Sequence, residues 1–314
     1  MRITVTGGAG FIGANLVRAL LDTGVAEAVI ALDDLSSGRR ANLDDVEGVS
    51  LQVGSILDED ALDEAFAEAD AVVHLAARPS VSRSLENPLA SHEVNATGTL
   101  KVLEAARRAG NLHMVLASSS SVYGANPVLP KHEDLVPRPV SPYAVSKLAT
   151  ESYALAYAAC FQLPVLAFRF FNVFGPRQLA GHAYAAVIPA FVSAAIEHRP
   201  LSVHGDGKQT RDFTYVGSVC RIITEAVRRR LTAHGPVNLA FGGRRTLLEV
   251  IDVLEDILGR RLDVDHTPPR PGDVRDSQAD QRRLRALFVD AEPVGFEEGL
   301  RATVDWFLDC GHGR

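Results

Sequence analysis

Cysteine is scarce in this chain. Its three residues, Cys160, Cys220 and Cys310, lie far apart and form no C-x-x-C pair, so neither a disulfide framework nor a thiolate zinc site is suggested, and a reducing cytoplasm is the expected compartment. Long hydrophobic runs are missing too. No apolar stretch approaches the roughly 18 residues that a membrane-spanning helix needs, although 46% of the residues are hydrophobic, enough for a sizeable core. The opening MRITVTGG moves straight into a strand pattern, without the basic and apolar regions of a secretory signal, so export is not expected. Positive charge is in deficit: the formal net charge of −7 argues against general nucleic-acid binding, while an anionic ligand can still meet a local set of arginines. RRR at 228–230 and RR at 260–261 read as solvated helix ends. His74, His182 and His204 show no ligand spacing and read as structural or surface residues, so no metal is expected. The single tryptophan, Trp306, reads as a packing residue.

What is present is alternation. ITVT, FIGANLVRALLDTG, AVIALD, SLQV, DEDALDEAFAEA and AVVHLA switch between strand and helix patterns, which is the signature of βαβ units. The pattern continues through a helix near 88–109, a strand HMVLA ending at Ala117, a helix near 142–161 and a strand PVLAFRF. The fold class this predicts is α/β, a doubly wound parallel sheet. After Asn172 the pattern is less regular, with turns such as FGPR, HGDGKQ and PPRPGD between helical runs such as TLLEVIDVLEDILG, which predicts a smaller C-terminal α/β lobe. The division expected is 1–172 with 213–242 for the sheet domain, and 173–212 with 243–314 for the lobe.

TGGAGFIG places Gly7, Gly10 and Gly13 after the first strand and at the start of the first helix. Small residues there let the backbone approach a pyrophosphate whose charge the helix N-terminus meets, as in a Rossmann-type dinucleotide site. Asp33 closes the second strand 20 residues after Gly13, where a carboxylate accepts a ribose 2′-hydroxyl and repels a 2′-phosphate, so NAD is favoured over NADP. Further along, SPYAVSKLATE holds Tyr143 and Lys147 at i and i+4, on one face of a helix. An ammonium near a phenol favours the phenolate, whose pKa starts near 10, and makes it a base usable at neutral pH.

With these motifs in place, the chain resembles the extended short-chain dehydrogenase/reductases, in the nucleotide-sugar epimerase and dehydratase branch, over nearly all its length. TGGAGFIG, LDDLSSG, HLAA, VNATGT, SSSSVYG, SPYAVSK, FRFFNVFGPRQ, RDFTYV and RPGDVRDSQAD appear in the order of that family. The resemblance implies a catalytic set of Ser119, Tyr143 and Lys147. It implies that NAD is bound by Gly7, Gly10, Phe11, Ile12, Gly13, Asp33, Asp34, Ser37, Gly38, Ile56, Leu75, Ala76, Ala77 and Asn95, together with Tyr143 and Lys147. Where many family members read Gly-Asp-Ile, this chain reads Gly54-Ser55-Ile56.

For the substrate, the resemblance implies a UDP-sugar. Ser80, Ser119, Ser120, Ser121, Tyr143, Phe171 and Asn172 would line the sugar, and Val187, in AYAAVIPAF, would lie beside the uracil. Arg211 and Arg270 would hold the pyrophosphate by guanidinium forks, with Asp273 on the uridine ribose. Family members share oxidation to a 4-keto sugar. Dehydratases then use an Asp-Glu pair where this chain has Ser120 and Ser121, and a hydroxyl is a poor general acid or base, so elimination lacks its catalyst. Epimerisation needs no further group. The reaction expected is therefore 4-epimerisation of UDP-glucose and UDP-galactose; Ser277, small at the position bordering the carbon-2 substituent, leaves room for the N-acetylated pair. A UDP-glucuronate 4-epimerase, a dehydratase, decarboxylase or 4-keto reductase on the same scaffold, and a non-catalytic NAD-binding protein are the alternatives. A homodimer through the helices near 88–109 and 142–161 is implied by analogy, with no nucleic-acid or membrane partner.

Overall fold

The computed structural model describes residues 1–180, 185–268 and 274–309. Two compact units divide the chain: the first takes Met1–Asn126, Glu133–Phe170 and Cys220–Asn238, and the second takes Pro127–His132, Phe171–Val219 and Leu239–Arg314.

In the first unit, β1 (Arg2–Thr6) passes through the glycine turn into α1 (Phe11–Asp22), and β2 (Ala28–Asp33) returns beside it. There follow β3 (Val49–Val53), α2 (Glu59–Phe66) and β4 (Ala71–His74). Short helices α3 (Val81–Glu86) and α4 (Pro88–His92) lead through a wide π-helical turn, Glu93–Thr97, into α5 (Gly98–Arg108). Then come β5 (His113–Ser119), α6 (Pro142–Phe161) and β6 (Val165–Phe170). The helix starts follow local chemistry. Asp58 caps α2 by accepting from the N–H groups of Asp60 and Ala61, and Ser141 caps α6 with Pro142 in its first turn. Boundaries differ from the sequence reading: the helix read near 88–109 is α4 and α5 joined by the wide turn, and residues 127–132, read into the sheet domain, belong to the second unit. β5 runs past Ala117 because Ser118 and Ser119 still pair with Arg169 and Phe170 of β6.

The second unit contains β7 (Val173–Phe174), α7 (Val187–Ile196), β8 (Leu201–His204), β9 (Thr210–Arg211) and β10 (Thr214–Tyr215). The chain then runs through α8 (Val216–Arg228) and β11 (Val237–Leu239), and adds β12 (Arg245–Thr246), α9 (Leu247–Leu258), β13 (Val264–Thr267), α10 (Arg282–Leu287) and α11 (Phe296–Asp309). Here β7 pairs with β10, β8 with β13 and β9 with β12. A Thr246/Glu249 capping box opens α9 and a left-handed Gly259 ends it. The apolar faces of α7, α9 and α11 close around Phe174, Phe191, Leu254 and Leu300.

The central sheet has seven strands in the order β11-β6-β5-β4-β1-β2-β3, with parallel pairing from β3 across to β6. It is the Rossmann-type sheet expected. The chain steps outward from β1 to β3 and then returns to β4 on the other side of β1. Ligands of such sheets bind beyond the strand ends at that reversal. Helices α2, α5 and α6 cover one face, packing Phe66, Leu103 and Tyr157 against sheet residues such as Met114 of β5. Among the described residues, no helix is long and apolar enough to cross a membrane.

Candidate active site

At the C-terminal end of β1 the turn is closed by backbone. Gly7 donates to Leu32 O at 2.8 Å and accepts from Gly10 N at 3.1 Å, with φ +71° at Gly7. A Cβ on Gly7 would lie 2.8 Å from Ala76 N, and one on Gly13 would lie 2.1 Å from the Gly7 carbonyl oxygen, so side chains are barred from both. Gly10 begins α1 without a side-chain cap, and the first turn carries no acidic residue, which leaves the N-terminal dipole for an anion. Phe11 and Ile12 fill that turn. The buried Asp33 carboxylate accepts from Ala9 N at 3.0 Å and Leu35 N at 2.8 Å. Burial raises its pKa, partly offset by those N–H groups. Gly38 packs against it, Asp34 accepts from Ser36, and Ser37 is exposed. Glycine cradle, uncapped helix and Asp33 fit a dinucleotide.

Across the reversal, Leu75 N donates to Thr6 O at 3.1 Å and Ala76 N to Thr6 Oγ1 at 3.3 Å, with Ala77 next along the loop. His74 fastens the same place: buried and neutral, its pKa pushed down to about 3, it pairs with Thr6 Oγ1 at 2.7 Å and Thr99 Oγ1 at 3.0 Å. It is structural. Ile56 is buried beneath Gly98. Asn95 has its amide engaged within the chain, donating to Ser146 Oγ at 2.9 Å and Arg78 O at 3.2 Å and accepting from Arg78 N at 2.7 Å. It therefore shapes the 75–80 loop. In that loop Ser80 holds φ +99° and caps α3. Such backbone strain tends to gather at functional sites.

Ser119, Tyr143 and Lys147 come together between β5 and α6. Ser121 donates to Ser119 Oγ from both its hydroxyl, at 2.9 Å, and its N–H, at 3.2 Å; Ser119 hydrogen-bonds the Tyr143 phenol. Ser120 opens the same tight turn. The phenol departs from the sequence reading. Burial raises its pKa, with the Ser119 bond pulling the other way, while Lys147 Nζ donates to Ala117 O at 2.9 Å. Sequence reasoning also missed the partners beneath. Ser118 Oγ donates to Glu151 at 2.8 Å, and Glu151 is paired with Arg169. The available signal was a carboxylate at i+8 from Tyr143, on the helix face that carries Lys147.

In the second unit Phe171 is fully buried, and Asn172, left-handed at φ +31°, donates to Asp212 O at 3.1 Å. Arg211 Nη1 donates to the carbonyls of Thr210 and Arg275, at 2.9 and 3.0 Å. Ser277 N donates to Thr210 O at 3.1 Å, and Asp276 accepts from Thr210 Oγ1 at 2.5 Å and Arg244 at 3.2 Å, which ties the segment carrying Ser277 to β9. Asp212 is buried beside it: Oδ2 accepts from Ala279 N at 3.0 Å, Oδ1 makes no hydrogen bond among the described residues, and burial pushes its pKa up to about 7, against nearby backbone N–H groups. Val187 opens α7. Arg270, Asp273 and His182 lie outside the described residues. Among the described residues no cluster of His, Cys, Asp or Glu could hold a metal ion.

A doubly wound sheet, a glycine cradle at its reversal point and a Ser-Tyr-Lys set beside it define a dinucleotide-dependent enzyme of the short-chain dehydrogenase/reductase type. Residues 3–240 match the family described as the NAD dependent epimerase/dehydratase family, and the chain belongs to it, with NAD as cofactor. The UDP-glucose 4-epimerase of Mycolicibacterium smegmatis is 37% identical, the match covering 98% of each chain. Among solved structures, the UDP-N-acetylglucosamine 4-epimerase of Methanobrevibacter ruminantium, in complex with UDP-N-acetylmuramic acid, superposes with a TM-score of 0.92 at 36% identity over 98% of each chain. The UDP-glucuronic acid 4-epimerase of Bacillus cereus, bound to UDP-glucuronic acid and NAD, has a TM-score of 0.90 at 30% identity over 99% of this chain and 100% of that one.

Proposed function

We propose that the protein is an NAD-dependent 4-epimerase of a UDP-hexose, acting on the UDP-glucose/UDP-galactose pair and on its N-acetylated counterpart. The observation that carries this reading is the company of Tyr143: the Ser119 hydroxyl bonds it and is itself bonded by Ser121, and the two positions where elimination needs carboxyls hold Ser120 and Ser121. The relatives support it, since three epimerases of different UDP-sugars align along essentially the whole chain.

NAD held at the glycine turn supplies the acceptor, and then the donor, of one hydride. The proton movements belong to the chain. Tyr143, as phenolate, takes the proton of the sugar 4-hydroxyl as the C4–H bond breaks, and Ser119 donates a hydrogen bond to the reacting oxygen. The 4-keto sugar turns over to present the opposite face of C4, and the phenol returns its proton to the 4-oxygen. Lys147, one helical turn from Tyr143, would supply positive charge that opposes the burial raising the phenol and so favours the phenolate in turnover. Asn172, Arg211, Arg270 and Asp273 hold the UDP, Phe171 backs the sugar pocket, and Ser80, Ser120, Ser121, Val187 and Ser277 complete the contacts. Pairing of two subunits through α4, α5 and α6 belongs to the same proposal, with Leu89, Val145 and Tyr153 exposed on those helices.

Incubation with UDP-glucose, UDP-N-acetylglucosamine and UDP-glucuronate separately, without added cofactor, and proton NMR of the products tests it. Formation of the 4-epimers of the first two is expected. Conversion of UDP-glucuronate alone reassigns the sugar, and loss of water or carbon dioxide overturns the reaction class.

A further inference from the structure

Helix α6 carries Tyr143, Lys147 and Glu151 at i, i+4 and i+8, along one face, and β5 meets all three with consecutive residues. Ser119 bonds Tyr143, the Ala117 carbonyl accepts from Lys147 Nζ, and Ser118 Oγ donates to Glu151 Oε2 at 2.8 Å with the Lys147 carbonyl 3.4 Å away. The first two contacts involve groups proposed to do the chemistry. The third reaches none of their reacting side-chain atoms, only the Lys147 main-chain carbonyl, yet it alone is backed by a buried ion pair. Arg169 on β6 donates to Glu151 from Nε at 2.9 Å and from Nη2 at 2.6 Å, with side chains only 3% and 4% exposed. Behind it, the Arg169 guanidinium lies 4.7 Å from the Tyr123 ring centre, and the Tyr123 hydroxyl donates to Asn238 at 2.7 Å.

Such a pair is a poor device for stability alone. Desolvating two ions offsets most of their attraction, and well-packed apolar replacements of buried pairs are often neutral or stabilising. What a forked guanidinium–carboxylate pair supplies is direction. With Glu151 fixed from β6, Ser118 has one place to donate, and α6 cannot slide or turn against β5 without unbonding a buried charge.

We infer that Glu151, held by Arg169 and bonded to Ser118, is a positioning residue that fixes the register of α6 against β5 and hence the Ser119–Tyr143 geometry; this rests on the proposed roles of Ser119 and Tyr143. The test uses the NAD-loaded enzyme, with Tyr143→Phe as reference. Ser118→Ala removes the link and leaves the ion pair. Bound NAD, melting temperature and substrate KM are expected to stay near wild type, while kcat falls by about tenfold to a hundredfold, as small misplacements of reacting groups do. Ser118→Thr restores the hydroxyl and is expected to recover most of that loss. A double Glu151→Met, Arg169→Met variant is expected to fold and show the same kcat defect. Wild-type kcat in Ser118→Ala, or a loss that follows melting temperature and is not recovered by Ser118→Thr, overturns the inference while leaving the proposed base standing. Turnover retained by Tyr143→Phe overturns the base itself, and the inference with it.

Discussion

Lys147 Nζ donates to the main-chain oxygen of Ala117, and burial brings its pKa down to about 8. The ammonium is thus held on the strand that carries Ser119, one helical turn from the phenol it is proposed to assist. Because the folded pKa lies below the ordinary 10.5, the folded protein holds fewer protons than the unfolded chain between about pH 8 and 10.5, and this group's contribution to stability rises with pH across that window. Lys147→Met is expected to flatten that slope in pH-dependent melting. In turnover it is expected to lose about 10²–10⁴ at neutral pH, with the rate climbing as pH rises and Tyr143 ionises unaided. A neutral-pH rate equal to wild type sinks the role given to Lys147.

The glycine turn makes a prediction about cofactor content. Gly13→Ala puts a methyl 2.1 Å from the Gly7 carbonyl, so the turn must open where the pyrophosphate is held. Purified Gly13→Ala is expected to carry little NAD, measured by chromatography of acid-released nucleotide. Gly295→Ala, whose Cβ meets nothing within 4 Å, is the control expected to keep it. Full NAD in both variants removes the turn from the cofactor site.

The alternation of strands and helices, the order of motifs and the glycine turn were legible in the amino-acid sequence because each depends on neighbours along the chain. Contacts between distant residues were not. Asn95 reads as a cofactor residue, yet its amide is engaged by Ser146, 51 positions away, and by the Arg78 backbone. The phenol of Tyr143 reads as lowered by Lys147, four residues on; burial raises it instead, opposed by the Ser119 bond, and Lys147 Nζ meets a strand carbonyl the helix pattern does not display. Ser118 reads as a strand end, and only the packing of α6 on β5 reveals Glu151 as its partner.

Asp212 predicts a pH dependence of opposite sign to that of Lys147. Its folded pKa, raised by burial to about 7, exceeds the ordinary 3.8, so the folded state keeps a proton that the unfolded chain loses. Stability is expected to fall as pH rises through that window, by up to about 1.4 kcal/mol per unit. Asp212→Asn cannot titrate and is expected to abolish this fall, read as melting temperature against pH. A slope that persists in the variant belongs to another group.

Ser277 addresses the choice of sugar. Ser277→Tyr is expected to depress kcat/KM for UDP-N-acetylglucosamine by tenfold or more, roughly the cost of forcing a bulky group into an occupied pocket, while sparing UDP-glucose. Equal losses for both sugars remove Ser277 from the specificity of the enzyme.

The wide turn at Glu93–Thr97 has a consequence for which changes of chain length the protein tolerates. It leaves the Asn95 carbonyl accepting from Thr99 Oγ1 at 2.6 Å and Thr150 Oγ1 at 2.7 Å, while the Asn95 side chain reaches Arg78 and Ser146. Deleting one residue there lets the segment close as an ordinary helix, but each residue of an α-helix accounts for about 100° of rotation. The five residues of the wide turn cover about the rotation that four cover in an α-helix, so the helices on either side would stay nearly in register, but the residues inside the turn would change face and the Asn95 side chain would turn away from Arg78 and Ser146. The turn works as a ratchet: shortening it costs the loop after β4 its anchor, so length variants of this protein are expected in the exposed loops and never between α4 and α5.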